Sequence, residues 1–259
     1  MEINKTNYFS PEASMAFFGA TQFKNFLKCE AGALAECKGE FVPDTTTPML
    51  VGSYVDAYFS GEIAEFTANH PELFNKKTGE LKASYQKADG IIERIDKSDL
   101  FKHFLDGEPQ KIMVGELFGE PWKIKVDALH NDKIVDLKVM KDLKPVWKNG
   151  ELKTFIDAWG YDLQGYIYQQ IVKYNTGKQL PFYLAVATKE AHTDLAIIEI
   201  PQWRLNVARG VIEYYLPRFA AIKRGEKEPT RCEKCDYCKD TKIGDALIKH
   251  YDDLLEGGY

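Results

Sequence analysis

Two aspartates, Asp127 and Asp136, interrupt apolar, strand-like runs in KVDALHNDKIVDLKVMKD (residues 125–142), and Lys138 follows the second at a spacing of two. Acids in such runs are costly, because an ionised carboxylate leaves water poorly unless it meets a cation or hydrogen-bond donors. Asn131-Asp132 suits a two-residue hairpin turn. Counting outward from that turn, His130 faces Lys133, Leu129 faces Ile134, Ala128 faces Val135, and Asp127 faces Asp136. The two acids would then be cross-strand neighbours with Cβ atoms about 5 Å apart, which destabilises like charges unless something offsets them. Period-two alternation puts Lys138 on the face of Asp136. Two carboxylates and an ammonium so placed make a divalent-cation site with an attached base or charge stabiliser, Mg²⁺ being the usual ion for such oxygen ligands. The competing reading is a pair of solvated acids on a half-exposed sheet.

Three further groups could carry chemistry. Gln164 and Tyr168 in YDLQGYIYQQI stand at i, i+4 and share one face of a helix. Cys232, Cys235 and Cys238 form C-x2-C-x2-C, three thiols in one short loop where a tetrahedral or cubane metal site needs four. KVMKDLKPVWKNGELK supplies Lys141, Lys144, Lys148 and Lys153 close to the acids, and Trp147 and Trp159 are available for stacking on bases or for packing. Lys189 in ATKEAH is a further cation that a groove for a polyanion could use. A lysine run is more often just a solvated loop.

The elements that must position these residues can be read from periodicity. Residues 1–110 read mostly as helix: 20–40 with apolar spacing at Phe23, Phe26, Leu27 and Leu34, then a helix opening in MLVGSYVDAYFSG, and one or two more over 84–105. From 111 the pattern changes to three short strands, KIMVGELFG, PWKIKVDALH and DKIVDLKVM. A helix over about 157–174, two strands in LPFYLAVATKE and LAIIEIP, and a long final helix follow. This order predicts one α/β domain with a mixed sheet over 1–259, divided into a helical N-terminal part (1–110), a core (111–225), and the cysteine cluster with a tail (226–259).

Bulk properties narrow the functions. With 259 residues the chain can bury a large core, and no run approaches the length of a membrane span. The N-terminus lacks a basic region followed by an apolar core, so a secretory leader is not expected. Five cysteines, an odd number, argue against a disulfide framework and for a reducing, cytoplasmic setting. The net charge of −5 does not advertise a nucleic-acid binder, although a local basic groove matters more than the total.

VDALHNDKIVDLKV resembles motifs II and III of the PD-(D/E)XK nuclease superfamily, with Asp127 as the first acid and DLK as the (D/E)-x-K. Gln164 and Tyr168, arriving 26 residues after Lys138, resemble the Q-x-x-x-Y motif of its RecB-like branch. QFKNFLKCEAGALAECKGE, VGSYVDAYFSG and RCEKCDYCK are similar to the phage and prophage exonucleases related to RecE (exonuclease VIII), so that the resemblance spans roughly residues 20–240. It implies a restriction-endonuclease-like α/β core, with a mixed central sheet flanked by helices. It also implies Mg²⁺ or Mn²⁺ held by Asp56, Asp127, Asp136 and the carbonyl of Leu137, with Lys138 activating water or stabilising charge. Asp56 stands where the related enzymes usually carry histidine, and Glu116 is a supporting or second-metal acid. Gln164 and Tyr168 would support the active site and contact DNA. Cys29 becomes the fourth thiolate of a [4Fe–4S] cluster or a Zn²⁺ site, although the last cysteine spacing is shorter than in the iron–sulfur members; Cys37 is left unliganded. The implied activity is a DNA exonuclease acting on duplex ends in phage recombination, partnered by a single-strand annealing protein. The alternatives are an endonuclease or single-strand nuclease of the same fold, and an inactive DNA-binding module. Related enzymes can form rings, which makes a homo-oligomer one assembly to test.

Overall fold

The structure, a computed structural model, describes residues 1–148, 150–244 and 248. Seven helices come first: α1 (Pro11–Ala16), α2 (Ala20–Lys28), α3 (Glu30–Lys38), α4 (Thr47–Phe59), α5 (Ile63–Asn69), α6 (Lys87–Asp96) and α7 (Asp99–Leu105). Strands β1 (Glu108–Leu117), β2 (Glu120–Leu129) and β3 (Ile134–Met140) follow as an antiparallel meander. A small hairpin, β4 (Val146–Lys148) and β5 (Glu151–Lys153), then leads into α8 (Phe155–Trp159) and α9 (Tyr161–Thr176). Strands β6 (Phe182–Thr188) and β7 (Leu195–Ile200), α10 (Gln202–Lys223) and α11 (Asp236–Asp240) complete the described elements. The central sheet has the order β1-β2-β3-β6-β7 and is mixed: β3 and β6 run parallel, the other pairs antiparallel.

Turn chemistry sets the meander. Phe118 and Gly119, at φ 54° and 78°, join β1 to β2 in a two-residue turn that needs positive φ at both positions. The turn between β2 and β3 is Asn131-Asp132, closed by the His130 N–H donating to the Lys133 carbonyl at 3.0 Å. Leu129 pairs with Ile134 and Ala128 with Val135, and there the β2–β3 ladder ends. The expected Asp127–Asp136 backbone pair does not form.

Both faces of the sheet are buried. On one, Trp122, Ile124, Val126 and Ile134 meet α2, α9 and α10; on the other, Ala128, Val135 and Leu137 meet α4 and α6. Val126 and Ala128 thus face opposite sides, although strict alternation would put them together. The switch occurs at Asp127, whose ladder partner position on β1 is Gln110, held at φ 49° and missing from the pairing. Helix α9 lies close on β6, where a side chain at Gly165 would come within 2.7 Å of the Phe182 ring.

Two expectations are corrected here. Residues 20–40 are two helices, because Cys29 is extended (φ −159°, ψ 111°) and its sulfur caps α3 by accepting from the Gly32 N–H. The lysine-rich stretch after β3 carries the β4–β5 hairpin rather than a plain loop. The tail beyond 244, apart from 248, lies outside the described residues.

Candidate active site and cysteine centre

Past Ala128 and Val135 the strands β2 and β3 diverge, and Asp127 fills the gap. Its carboxylate accepts the Leu137 N–H at 2.9 Å, a side chain standing in for a ladder carbonyl. The N–H and C=O of one strand residue point the same way, so the Leu137 carbonyl also faces this opening. The Lys138 ammonium donates to that carbonyl at 3.5 Å and makes an ion pair with Asp136. Asp136 is 1% exposed; one oxygen accepts from Gln164 Nε2 at 2.6 Å, and among the described residues the other meets only Lys138. Tyr168, one turn along α9, donates from its hydroxyl to the Lys125 carbonyl at 2.9 Å, fixing β2 beside Asp127. Gln164 and Tyr168 therefore both clamp the acids' strands to α9.

Asp56, on α4, reaches the same group from the opposite side of the sheet, its carboxylate 3.5 Å from the Gln110 amide nitrogen. Burial raises its pKa, with Asp136 adding to the rise and Lys125 and Lys138 opposing it. Burial, Asp136 and Asp56 together push Asp127 well above the carboxylate range. Burial disfavours the charge on Lys138, but Asp136 and Asp127 outweigh it and hold the ammonium above its usual pKa. Three clustered carboxylates, two of them raised by burial and by the acids around them, the Leu137 carbonyl and a buried Gln110 oxygen that has no partner among the described residues form an oxygen donor set that fits a hard divalent cation, with the Lys138 ammonium beside it.

A cavity of about 450 Å³ opens over Asp127, Asp136 and Lys138 and is walled by Tyr8, Lys24 and Lys125. A second, lined by Lys28, Lys148 and Trp159, shares Thr21, Lys24 and Asn25 with the first, so the two lie side by side along α2. Tyr161, at the start of α9, lies between the lysines: Lys24 Nζ is 5.3 Å and Lys138 Nζ 5.5 Å from its ring centre. Burial and Lys138 bring Lys24 down to about 8. Lys148 donates to the Ala158 carbonyl and lies 4.9 Å over the Trp159 ring.

Other expected residues fall elsewhere. Glu116 is an exposed residue paired with Pro121, six positions along β1 from Gln110, and the strand spacing carries it far from the acids. Lys141 and Lys144 are exposed beside β3, and Lys153 pairs with Glu151 at 3.0 Å. Lys189 donates to the Pro48 carbonyl at 2.8 Å and so anchors the start of α4, the helix that carries Asp56. Trp147 is exposed on β4. Gln110, Lys24, Lys125 and Tyr161 had no spacing signal in the sequence; tertiary packing alone assembles them around the acids.

Cys29, Cys232, Cys235 and Cys238 converge, with all four sulfurs within 4.8 Å of one another. Cys37 is apart from them, its thiol accepting from Gln22 Nε2 at 2.8 Å. Burial opposes ionisation of Cys232, but N–H donors from Lys234 and Cys235 outweigh it and bring the thiol down to about 7.

Residues 19–241 match the family described as PDDEXK-like domain of unknown function (DUF3799). The chain belongs to that family. A crystal structure from Eubacterium rectale, described as a "putative exonuclease", superposes with a TM-score of 0.94 at 39% identity, over 99% of each chain. The structure of SSO0001 aligns with a TM-score of 0.30 at 14% identity, over 88% of this chain and 98% of that one, a likeness too slight to carry an argument. No curated protein matches the sequence. The mixed five-stranded sheet flanked by helices is the fold of a PDDEXK-like nuclease. No described helix is long and apolar enough to cross a membrane.

Proposed function

We propose that the protein is a Mg²⁺- or Mn²⁺-dependent DNA exonuclease acting on duplex ends. The observation that carries this is the splayed β2–β3 pair, which collects Asp127, Asp136, the Leu137 carbonyl and Lys138 at the floor of a cavity lined by Lys24 and Lys125, beside a second one lined by Lys28 and Lys148. Asp56, Asp127, Asp136 and the Leu137 carbonyl would hold the cation. Bound there, it would polarise the scissile phosphate and lower the pKa of a coordinated water. Lys138 orients that water or offsets the charge that builds on the phosphate. Gln164 fixes the Asp136 carboxylate, and Tyr168 fixes β2. Lys24, Lys28 and Lys148 meet backbone phosphates, and Trp159 offers a stacking surface.

The choice of exonuclease draws support from the Eubacterium rectale protein of matching length and fold, described in those terms. Similarity of the N-terminal and cysteine segments to the RecE-like group supports a place in phage recombination, with a single-strand annealing protein as partner. Incubation with Mn²⁺ and either linear or closed-circular duplex tests the proposal. Loss of linear DNA alone is expected. Loss of both would make the protein an endonuclease, and loss of neither would leave a binding module.

A further inference from the structure

Four thiols from two distant parts of the chain meet at one point. Cys29 sits at the α2–α3 junction, Cys232 and Cys235 in the turn before α11, and Cys238 within it. Contacts outside the sulfurs also join these segments. Arg218 makes a two-pronged ion pair with Glu30 (2.6 and 2.7 Å), Glu30 accepts the Thr230 N–H at 2.7 Å, and the Ala31 N–H donates to the Thr230 carbonyl at 3.1 Å. These contacts tie the segment entering Cys232 to the residues just after Cys29.

The sulfur spacing discriminates between occupants. Cys29 and Cys238 are 3.5 Å apart and Cys232 and Cys238 4.0 Å, too far for a disulfide of about 2.05 Å. Around one ion with metal–sulfur bonds of about 2.3 Å, tetrahedral geometry sets neighbouring thiolates about 3.8 Å apart. In a cubane each thiolate binds a different iron at a cube corner, so the thiolates stand about 6 Å apart. No pair here exceeds 4.8 Å, and a cubane would have to push every pair apart by roughly 1 Å or more. Gly32 places α3 beside the thiols: a Cβ added there would be in ordinary contact with the Cys235 sulfur at 3.5 Å and with that of Cys29 at 3.6 Å.

Backbone amides are aimed at the sulfurs as acceptors. The Gly32 N–H points to Cys29 at 3.4 Å, and those of Lys234 and Cys235 to Cys232 at 3.5 and 3.3 Å. Such donors stabilise thiolates and orient them toward a metal. Arg231, whose guanidinium donates to the Cys238 carbonyl at 2.8 Å, supplies positive charge beside a centre that four thiolates would leave negative.

We propose that Cys29, Cys232, Cys235 and Cys238 hold a single tetrahedral Zn²⁺ ion, and that the site does not accept an iron–sulfur cubane. All four positions are filled by protein, so the ion is structural: it locks the C-terminal segment to the α2–α3 junction. The test is metal analysis of the full chain produced and purified without oxygen, with both iron and zinc supplied. Stoichiometric zinc, no acid-labile sulfide and no iron–sulfur absorption are expected. Replacing zinc with Co²⁺ should give the visible bands of a tetrahedral thiolate site, and Cys235→Ser should lose them. Should that variant not fold, Co²⁺ titration of metal-stripped wild-type protein gives the same readout. Stoichiometric iron with sulfide, a single iron in place of zinc, or a stripped wild-type chain that takes up neither Zn²⁺ nor Co²⁺ would overturn the proposal.

Discussion

The carboxylate group on β2, β3 and α4 and the thiol group joining α3 to α11 both gather charged ligands, and they do so in opposite ways. The acids stand where two strands part, over an open cavity, and burial together with the neighbouring acids raises the pKa of Asp56 and Asp127. The thiols close on themselves, with four protein donors and amides aimed at two of the sulfurs. An open donor set leaves room for substrate, whereas a closed one leaves none. On the proposed readings, the first is built for chemistry at a cost in stability, and the second for stability alone.

Substitutions should separate the two. The largest effect is expected from Asp136→Asn, which removes a carboxylate from the open site. Turnover of linear duplex should fall by roughly 10³-fold, comparable to or beyond the loss of one transition-state donor, while the melting temperature moves less, because relief of repulsion among the acids offsets the lost ion pair with Lys138. Stripping the proposed zinc, or Cys235→Ser, should do the reverse: a clear drop in melting temperature, with activity lost only as the fold loosens. A Cys235→Ser variant as stable as wild type but inactive would break the comparison.

Smaller effects belong to the groove. Lys24→Met should weaken duplex binding and lower the salt dependence of affinity by about one counterion, as expected for one phosphate contact. Because Lys24 titrates at about 8, its charge is present below that pH and fades above it. Binding by the wild type should weaken as pH climbs through 8, and Lys24→Met should flatten that part of the profile. A profile unchanged by the substitution would remove Lys24 from the groove.

Asp56 and Asp127 supply the smallest and most specific signal. Both have folded pKa values raised above the unfolded 3.8, so the folded state binds more protons over the interval between them. In metal-free protein the contribution of these acids to stability is fully present below the unfolded value and is lost as pH rises through the folded one. Mn²⁺ should remove that loss, raising the melting temperature more at pH 7 than at pH 5. An equal shift at both pH values would place the cation elsewhere.

Much of this architecture could be read from the sequence because local chemistry dictates it. Asn131-Asp132 makes the turn, and alternation then sets Lys138 beside Asp136; the i, i+4 spacing of Gln164 and Tyr168 puts both on the face of α9 that meets the acids' strands. The Asp127–Asp136 pairing failed because counting from a turn assumes a continuous ladder. Two opposed acids favour divergence, and the Leu137 N–H rewards it. The break at Cys29 escaped notice because an alanine-rich, helix-favouring run surrounds it, and only tertiary contact with Thr230 and the other thiols shows why it turns there. Lys24 and Gln110 come from elements remote in sequence, and no periodicity marks them.

The most direct measurement is turnover of an end-labelled linear duplex in Mn²⁺ by Lys138→Ala, with duplex binding and melting temperature recorded on the same preparation. Cleavage abolished while binding and fold persist is the predicted result. Wild-type turnover by that variant would contradict the assignment of the splayed β2–β3 site as the catalytic centre.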